Sequence, residues 1–182
     1  MLVLASASPR RQELISLINE DVIICPSSVD ESYSTDVNAE AVPEMLAVRK
    51  ALDVSKKHPN DTVIGCDTSV IIGNEILGKP KDSEDAKRML KLLSGKTHKV
   101  ITGCAIFKGG KSVSFSETTE VTFYALTDKD IEEYISTNEP NDKAGAYGIQ
   151  GKGSLLVKKI DGDYFNVVGL PVARLNKVLK MI

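Results

Sequence analysis

Ser6-Ala7-Ser8-Pro9-Arg10-Arg11 sets two hydroxyls and two guanidiniums where an apolar run gives way to a helix. A serine followed by proline reads as an N-cap and a first helical position. A helix start offers unpaired backbone N–H groups and the positive end of the helix dipole. Arginines there oppose the dipole, and an anion makes the arrangement favourable. Oriented donors together with guanidinium forks are the chemistry a polyphosphate requires. Gly65-Cys66-Asp67-Thr68 follows the apolar run 62–64. Ligands of open α/β sheets bind beyond the carboxyl ends of strands, and an aspartate there can hold a metal or activate water. The plainer reading is a turn-forming Asx residue.

Val29-Asp30-Glu31 lies in a polar loop, where carboxylates are usually only solvated. Combined with Asp67, Glu31 becomes a Mg²⁺ ligand, because that ion takes a few carboxylates together with phosphates and waters. Lys50 interrupts an apolar helical stretch, and Lys79 stands between Gly78 and Pro80. Most lysines are surface charges. A lysine on a backbone fixed by glycine and proline nevertheless suits aiming an ammonium at a phosphate. Residues 139–151 make a long, polar, glycine-rich loop of the kind that often carries function. Its Gln150 can donate and accept at once, as reading a base edge requires.

The elements that position these residues alternate between strand and helix. The short apolar run 2–5 reads as a buried strand, and 22–25 and 62–66 read as strands. Helices are expected over 10–18, 43–57, from Ser83 to before Gly95, over 127–137 and from Pro171 onward. Gly73-Asn74 joins strands 69–72 and 75–77 as a hairpin. Two long β runs, 98–107 and 112–124, meet at a Gly-Gly turn. A second hairpin, 155–160 with 164–168, is expected around Asp161-Gly162-Asp163. The pattern predicts an α/β fold with a mixed sheet in a single domain spanning 1–182.

Composition narrows the function. The 182 residues carry 23 Lys+Arg and 25 Asp+Glu, a net charge of −2, with no Trp. That is a poor footprint for a duplex-DNA binder. The 42% hydrophobic and 26% charged fractions are those of a globular protein. No segment approaches a membrane span, and the basic pair follows the apolar start instead of preceding it, so a cytoplasmic protein is expected. Cys25, Cys66 and Cys104 are widely spaced without a CxxC and read as reduced thiols.

Nine segments in order resemble the Maf family of nucleotide pyrophosphatases, named for an effect on septum formation. They are SASPRR (6–11), VDE (29–31), LAVRKA (46–51), GCDT (65–68), GKP (78–80), SGKTHKVITG (94–103), ETTEVTF (117–123), EPNDKAGAYGIQG (139–151) and IDGDYFNVVGLP (160–171). Cys66, where a small residue such as Ala is frequent, is a minor departure. The resemblance implies a mixed, twisted sheet with flanking helices and two lobes around a deep cleft, related to inosine-triphosphate pyrophosphatases. It also implies hydrolysis of a nucleoside triphosphate to the monophosphate and pyrophosphate.

Carried over by position, Asp67 is the proton acceptor, and Glu31 with Asp67 contacts Mg²⁺, Mn²⁺ or Co²⁺. Ser8, Arg10, Lys50 and Lys79 hold the triphosphate. Arg11, Thr68 and Gln150 set base preference, in the combination of the subgroup acting on dTTP and UTP, ordinary or modified. A carboxylate beside a metal needs no unusual pKa for this role. The oligomeric state is open, and the resemblance allows a homodimer. Two rival readings remain: a nucleotide-binding regulator of cell division that does not turn over, and a nucleic-acid-binding domain using Arg10, Arg11, Lys50 and Lys79. The complete set of carboxylates favours the enzyme, and the charge balance disfavours nucleic acid.

Overall fold

The structure, a computed structural model, describes residues 1–182. Three apolar strands lie parallel: β1 (Leu2–Leu4) between β2 (Val22–Ile24) and β3 (Thr62–Ile72). Leu4 is opposite both Ile24 and Ile64, so β1 and β2 stop together while β3 runs on. β4 (Glu75–Leu77) folds back antiparallel on β3 through the turn at Gly73, whose φ of 58° favours glycine. β5 (Thr97–Lys108), β6 (Lys111–Phe123) and β7 (Val157–Asp161) complete a seven-stranded mixed sheet. Its order is β2-β1-β3-β5-β6-β7, with β4 added to β3. The helices are α1 (Pro9–Ser16), α2 (Val42–Ser55), α3 (Ser83–Leu93), α4 (Asp128–Ile135), α5 (Tyr164–Val168) and α6 (Val172–Leu179). None is long and apolar enough to cross a membrane.

The chain forms two compact units. The first comprises Met1–Thr68, Thr102–Glu117 and Gly169–Ile182; the second comprises Ser69–Ile101 and Thr118–Val168. One buried cluster of the first is built from small side chains: Val3, Ala5, Ala47, Ala51, Val54, Val63 and Ala105. Small residues let helix and sheet approach closely. At Gly65 a Cβ would lie 2.2 Å from the Ala47 carbonyl oxygen, and at Gly103 2.3 Å from the Glu44 nitrogen. α2 therefore rests on the backbone of β3 and β5 at two glycines. In the second unit Leu90, Leu93, Phe123, Ile131, Tyr134 and Tyr147 pack together.

Three expectations need correction. The strands expected at 62–66 and 69–72 are one continuous strand, so Asp67 lies within β3 and not beyond its end. It does lie past the ends of β1 and β2, and the ligand-binding logic of open sheets survives in that form. The run 164–168, expected as a strand, is helix α5. The Asp163 side chain accepts the Phe165 N–H, and buried Asn166 donates to the Val100 carbonyl and the Thr119 hydroxyl. These anchors override the β propensity of Tyr-Phe-Asn-Val-Val. Finally, the glycine-rich segment is three short 3-10 turns at Glu139–Asp142, Ala144–Ala146 and Gly151–Leu156. It buries Ala146, Tyr147 and Ile149.

Candidate active site

Consecutive residues of a strand project to opposite faces of a sheet, so Asp67 and Thr68 serve different neighbours. Asp67 lies on the same face of β3 as Val63 and Gly65, the face covered by α2. On α2, Ala47, Lys50, Ala51 and Val54 share one buried stripe at helical spacing. Lys50 thus interrupts the apolar face because its stem is packed there, while its ammonium reaches Asp67. Nζ lies 2.7 Å from Asp67 Oδ1 and 2.9 Å from Glu31 Oε1. The side chains of Lys50 and Asp67 are 11% and 12% exposed, and that of Glu31 is 60% exposed.

Burial pushes the Asp67 carboxyl above its ordinary range, and the opposing pull of Lys50 and Arg11 does not cancel it. Desolvation is the larger effect. Oδ1 takes the Lys50 ammonium, and Oδ2 has no protein partner. The loop that brings Glu31 is tied to α2 on either side of Lys50. Asp53 accepts from the Ser27 hydroxyl and the Ser28 N–H, and Arg49 donates to the Ser32 carbonyl at 2.6 Å. Arg49 and Asp53 were not singled out by sequence. Their spacing around Lys50 was the available signal.

Thr68 serves α1. Its hydroxyl accepts from Arg11 Nη2 at 2.9 Å. Arg11 also donates through Nε to the Gly169 carbonyl at 2.9 Å and through Nη1 to the Ser6 hydroxyl at 3.2 Å. Arg11 is thus held by neutral oxygens, with no carboxylate paired to it. Ser8 is the N-cap of α1, as expected, and its hydroxyl accepts the Arg11 N–H. Arg10 follows on the first turn and is half-buried. Thr102 and Gly169 were missed by sequence, since neither type suggests chemistry by itself.

The structure therefore brings Glu31, Lys50 and Asp67 together, and Ser8, Arg11 and Thr68 together, all within the first unit. Lys79 and Gln150 belong to the second unit, where both are exposed. The backbone carrying Gln150 is held firmly. Gly148 N–H donates to the Tyr134 hydroxyl, Lys152 N–H donates to Glu139, and the Lys143 ammonium donates to the Glu139 carbonyl.

This α/β architecture is that of the Ham1 proteins. The structure of one from Coxiella burnetii superposes with a TM-score of 0.59, covering 100% of this chain and 98% of that one at 14% identity. One from Staphylococcus aureus gives 0.55 at 16% identity, covering 99% and 98%. The family model described as Maf-like protein matches residues 1–182, and the chain belongs to the Maf family. A relative from Bacillus cytotoxicus named dTTP/UTP pyrophosphatase is 51% identical over 178 residues, covering 98% of this chain and 93% of its own. Relatives of the same name from Halalkalibacterium halodurans and Pyrococcus furiosus are 47% and 49% identical over 180 residues. Each covers 99% of this chain, and 95% and 94% of its own length.

Proposed function

We propose that this chain is a nucleoside triphosphate pyrophosphatase that hydrolyses dTTP and UTP to the monophosphate and pyrophosphate, with residues 1–182 acting as one catalytic domain. The observation that carries the reading is the buried Asp67 carboxylate, held by Lys50 on one oxygen and unengaged on the other. Full-length identity of about half to relatives named for this reaction supports the substrate class.

Asp67 accepts a proton from water attacking the α-phosphorus. A carboxyl pushed upward by burial is a better base than a solvated one. Lys50 positions it, and Lys50, Arg10 and Lys79 offset charge on the pyrophosphate leaving group. Ser8 and the start of α1 hold phosphate oxygens. Arg11, Thr68 and Gln150 select the base.

A divalent cation fits these residues. Glu31 and Asp67 each keep one oxygen that Lys50 does not engage. Glu31 and Asp67 would hold the ion, and phosphates and waters would supply its remaining ligands, as Mg²⁺ or Mn²⁺ prefers. Bound there, the ion supplies charge neutralisation to the phosphates.

The test is release of pyrophosphate, scored apart from phosphate, from a panel of nucleoside triphosphates with Mg²⁺ or Mn²⁺, with Asp67→Asn alongside. Pyrophosphate from dTTP and UTP that is lost in the variant is expected. Nucleotide binding without release would overturn the enzyme in favour of a nucleotide-sensing regulator.

A further inference from the structure

Thr102 is fully buried, and its hydroxyl lies 2.9 Å from that of Thr68. A hydroxyl has one proton to give and two lone pairs to accept with. Arg11 Nη2 occupies one lone pair of Thr68. Two acceptors compete for the Thr68 proton: Thr102 Oγ1 at 2.9 Å and the Gly169 carbonyl at 3.5 Å. The carbonyl is the longer contact and already accepts Arg11 Nε. The proton therefore goes to Thr102, where burial keeps water from competing. Thr68 is left with one free lone pair and no free proton.

Beside it, Arg11 has five N–H groups, three of them engaged, by Gly169, Ser6 and Thr68. The free N–H groups of Arg11 and the free lone pair of Thr68 make a donor next to an acceptor. Resting on the function proposed above, we infer that Thr102 is a positioning residue that fixes the Thr68 hydroxyl as an acceptor, so that Arg11 and Thr68 together read the O=C–N–H imide edge shared by uracil and thymine. In the same ring orientation cytosine turns its amino group toward the Arg11 donors and its unprotonated ring nitrogen toward the Thr68 acceptor, and neither bond forms.

Gly169 completes the arrangement. Its φ of 129° lies in the region that favours glycine, and its carbonyl aims at Arg11. Ser6 and Gly169 fix the guanidinium, and Thr102 fixes the polarity of its neighbour.

The experiment compares Thr102→Val, which keeps shape and removes the hydroxyl, with Thr102→Ser, which keeps the hydroxyl. Steady-state constants for dTTP and dCTP are measured with metal, and equilibrium binding of dTMP and dCMP without it. Thr102→Val is expected to lower the dTTP over dCTP preference about fivefold to tenfold, through KM with little change in kcat, the scale of one misdirected hydrogen bond. The binding preference should fall in parallel, and Thr102→Ser should restore both.

An unchanged preference in Thr102→Val overturns the inference. So does a raised one, since that means Thr102 donates to Thr68, or a Thr102→Ser variant as unselective as Thr102→Val, since that means lost packing. Absence of pyrophosphate release from the unmodified protein defeats the proposed function, and the binding arm then decides the inference alone: a thymine preference that depends on Thr102 upholds it, and no such preference overturns it.

Discussion

Each of the two units buries a polar cluster, and the two clusters are built on opposite principles. In the first unit the groups are charged. Lys50 and Asp67 are nearly buried, and Asp67 keeps an oxygen that no protein atom uses. In the second unit the groups are neutral. His98 Nε2 lies 2.7 Å from the Tyr147 hydroxyl, and the imidazole stands edge-on to Phe123 and Tyr147 at 5.1 and 5.4 Å. Its Nδ1 is also without a partner, but it is sealed among aromatic rings. An unused atom past the ends of two strands is available to a ligand, whereas one in a closed cage only lowers stability. Burial of a polar group is thus no sign of function unless its free atom can be reached.

The sharpest way to break this contrast is Asp67→Asn. It keeps shape and the Lys50 contact but removes the base. Turnover should fall about a thousandfold, the scale of a lost general base, while nucleotide binding survives. Near-normal turnover would reduce the Lys50–Asp67 pair to a structural ion pair, no different in kind from the His98 cluster.

Lys50→Met comes next, and it separates charge from packing. It leaves Asp67 without its closest cation in a buried position. Breaking such a pair costs about 3 kcal/mol, and kcat should fall about a hundredfold as the base loses its position. The pH dependence has a definite sign. The Asp67 carboxyl is already raised by burial, and losing Lys50 raises it further. Through the affected window the unfolded chain holds fewer protons than the folded one, so stability falls as pH rises. Urea midpoints of the variant should therefore approach those of the unmodified protein as pH is lowered. A deficit independent of pH would mean that the Lys50 charge does not act through the Asp67 carboxyl.

Gly65→Ala acts one step further back, on the element that carries Lys50. The added methyl would lie 2.2 Å from the Ala47 carbonyl and 2.6 Å from the Ala51 nitrogen, both backbone atoms. α2 must lift, at about 3 kcal/mol, and Lys50 must lift with it. Both the urea midpoint and kcat should drop. A normal kcat in a destabilised variant would show that the ammonium follows Asp67 regardless of helix position.

The second cluster has its own signature. Burial holds the His98 imidazole down to about 4, against an ordinary value near 6.5. Between those values the unfolded chain binds the proton and the folded one does not, so stability is complete above about 6.5 and is lost as pH falls toward 4. The loss amounts to about 3 kcal/mol. His98→Gln can still bond the Tyr147 hydroxyl but does not titrate, so it should flatten that part of the stability profile. An unchanged slope in His98→Gln would assign it to other groups.

These elements also show what the sequence can disclose. Ser8-Pro9 announces its helix start because capping is local chemistry, and β1 announces itself because every residue of its apolar run is buried. The chemistry of Asp67 is half legible: the residue stands out, but its placement inside a continuous strand does not. The end of β3 depends on neighbours that stop earlier, and a single strand carries no mark of where its neighbours stop. Helix α5 is illegible for the same reason, since Asn166 is drawn into a helical turn by partners at Val100 and Thr119, far away in the chain. Thr102 was overlooked because its importance lies in which way one proton points, a property of a contact and not of a residue type.

Gln150 offers the smallest and most selective test. It is exposed and makes no capping bond at the start of its 3-10 turn, so its side chain contributes little to the fold. Its backbone is held by the Tyr134 and Glu139 contacts. Truncation to alanine should leave the urea midpoint unchanged within about 0.5 kcal/mol, as for other exposed substitutions. If the amide reads a base edge, Gln150→Ala should still lower the dTTP and UTP preference about threefold to fivefold, with activity on the best substrate reduced less than the preference. A shift in ranking without a shift in stability would place reading of the base in both units of the chain. An unchanged ranking would confine it to Arg11 and Thr68 in the first unit and leave the second unit no part in choosing the base.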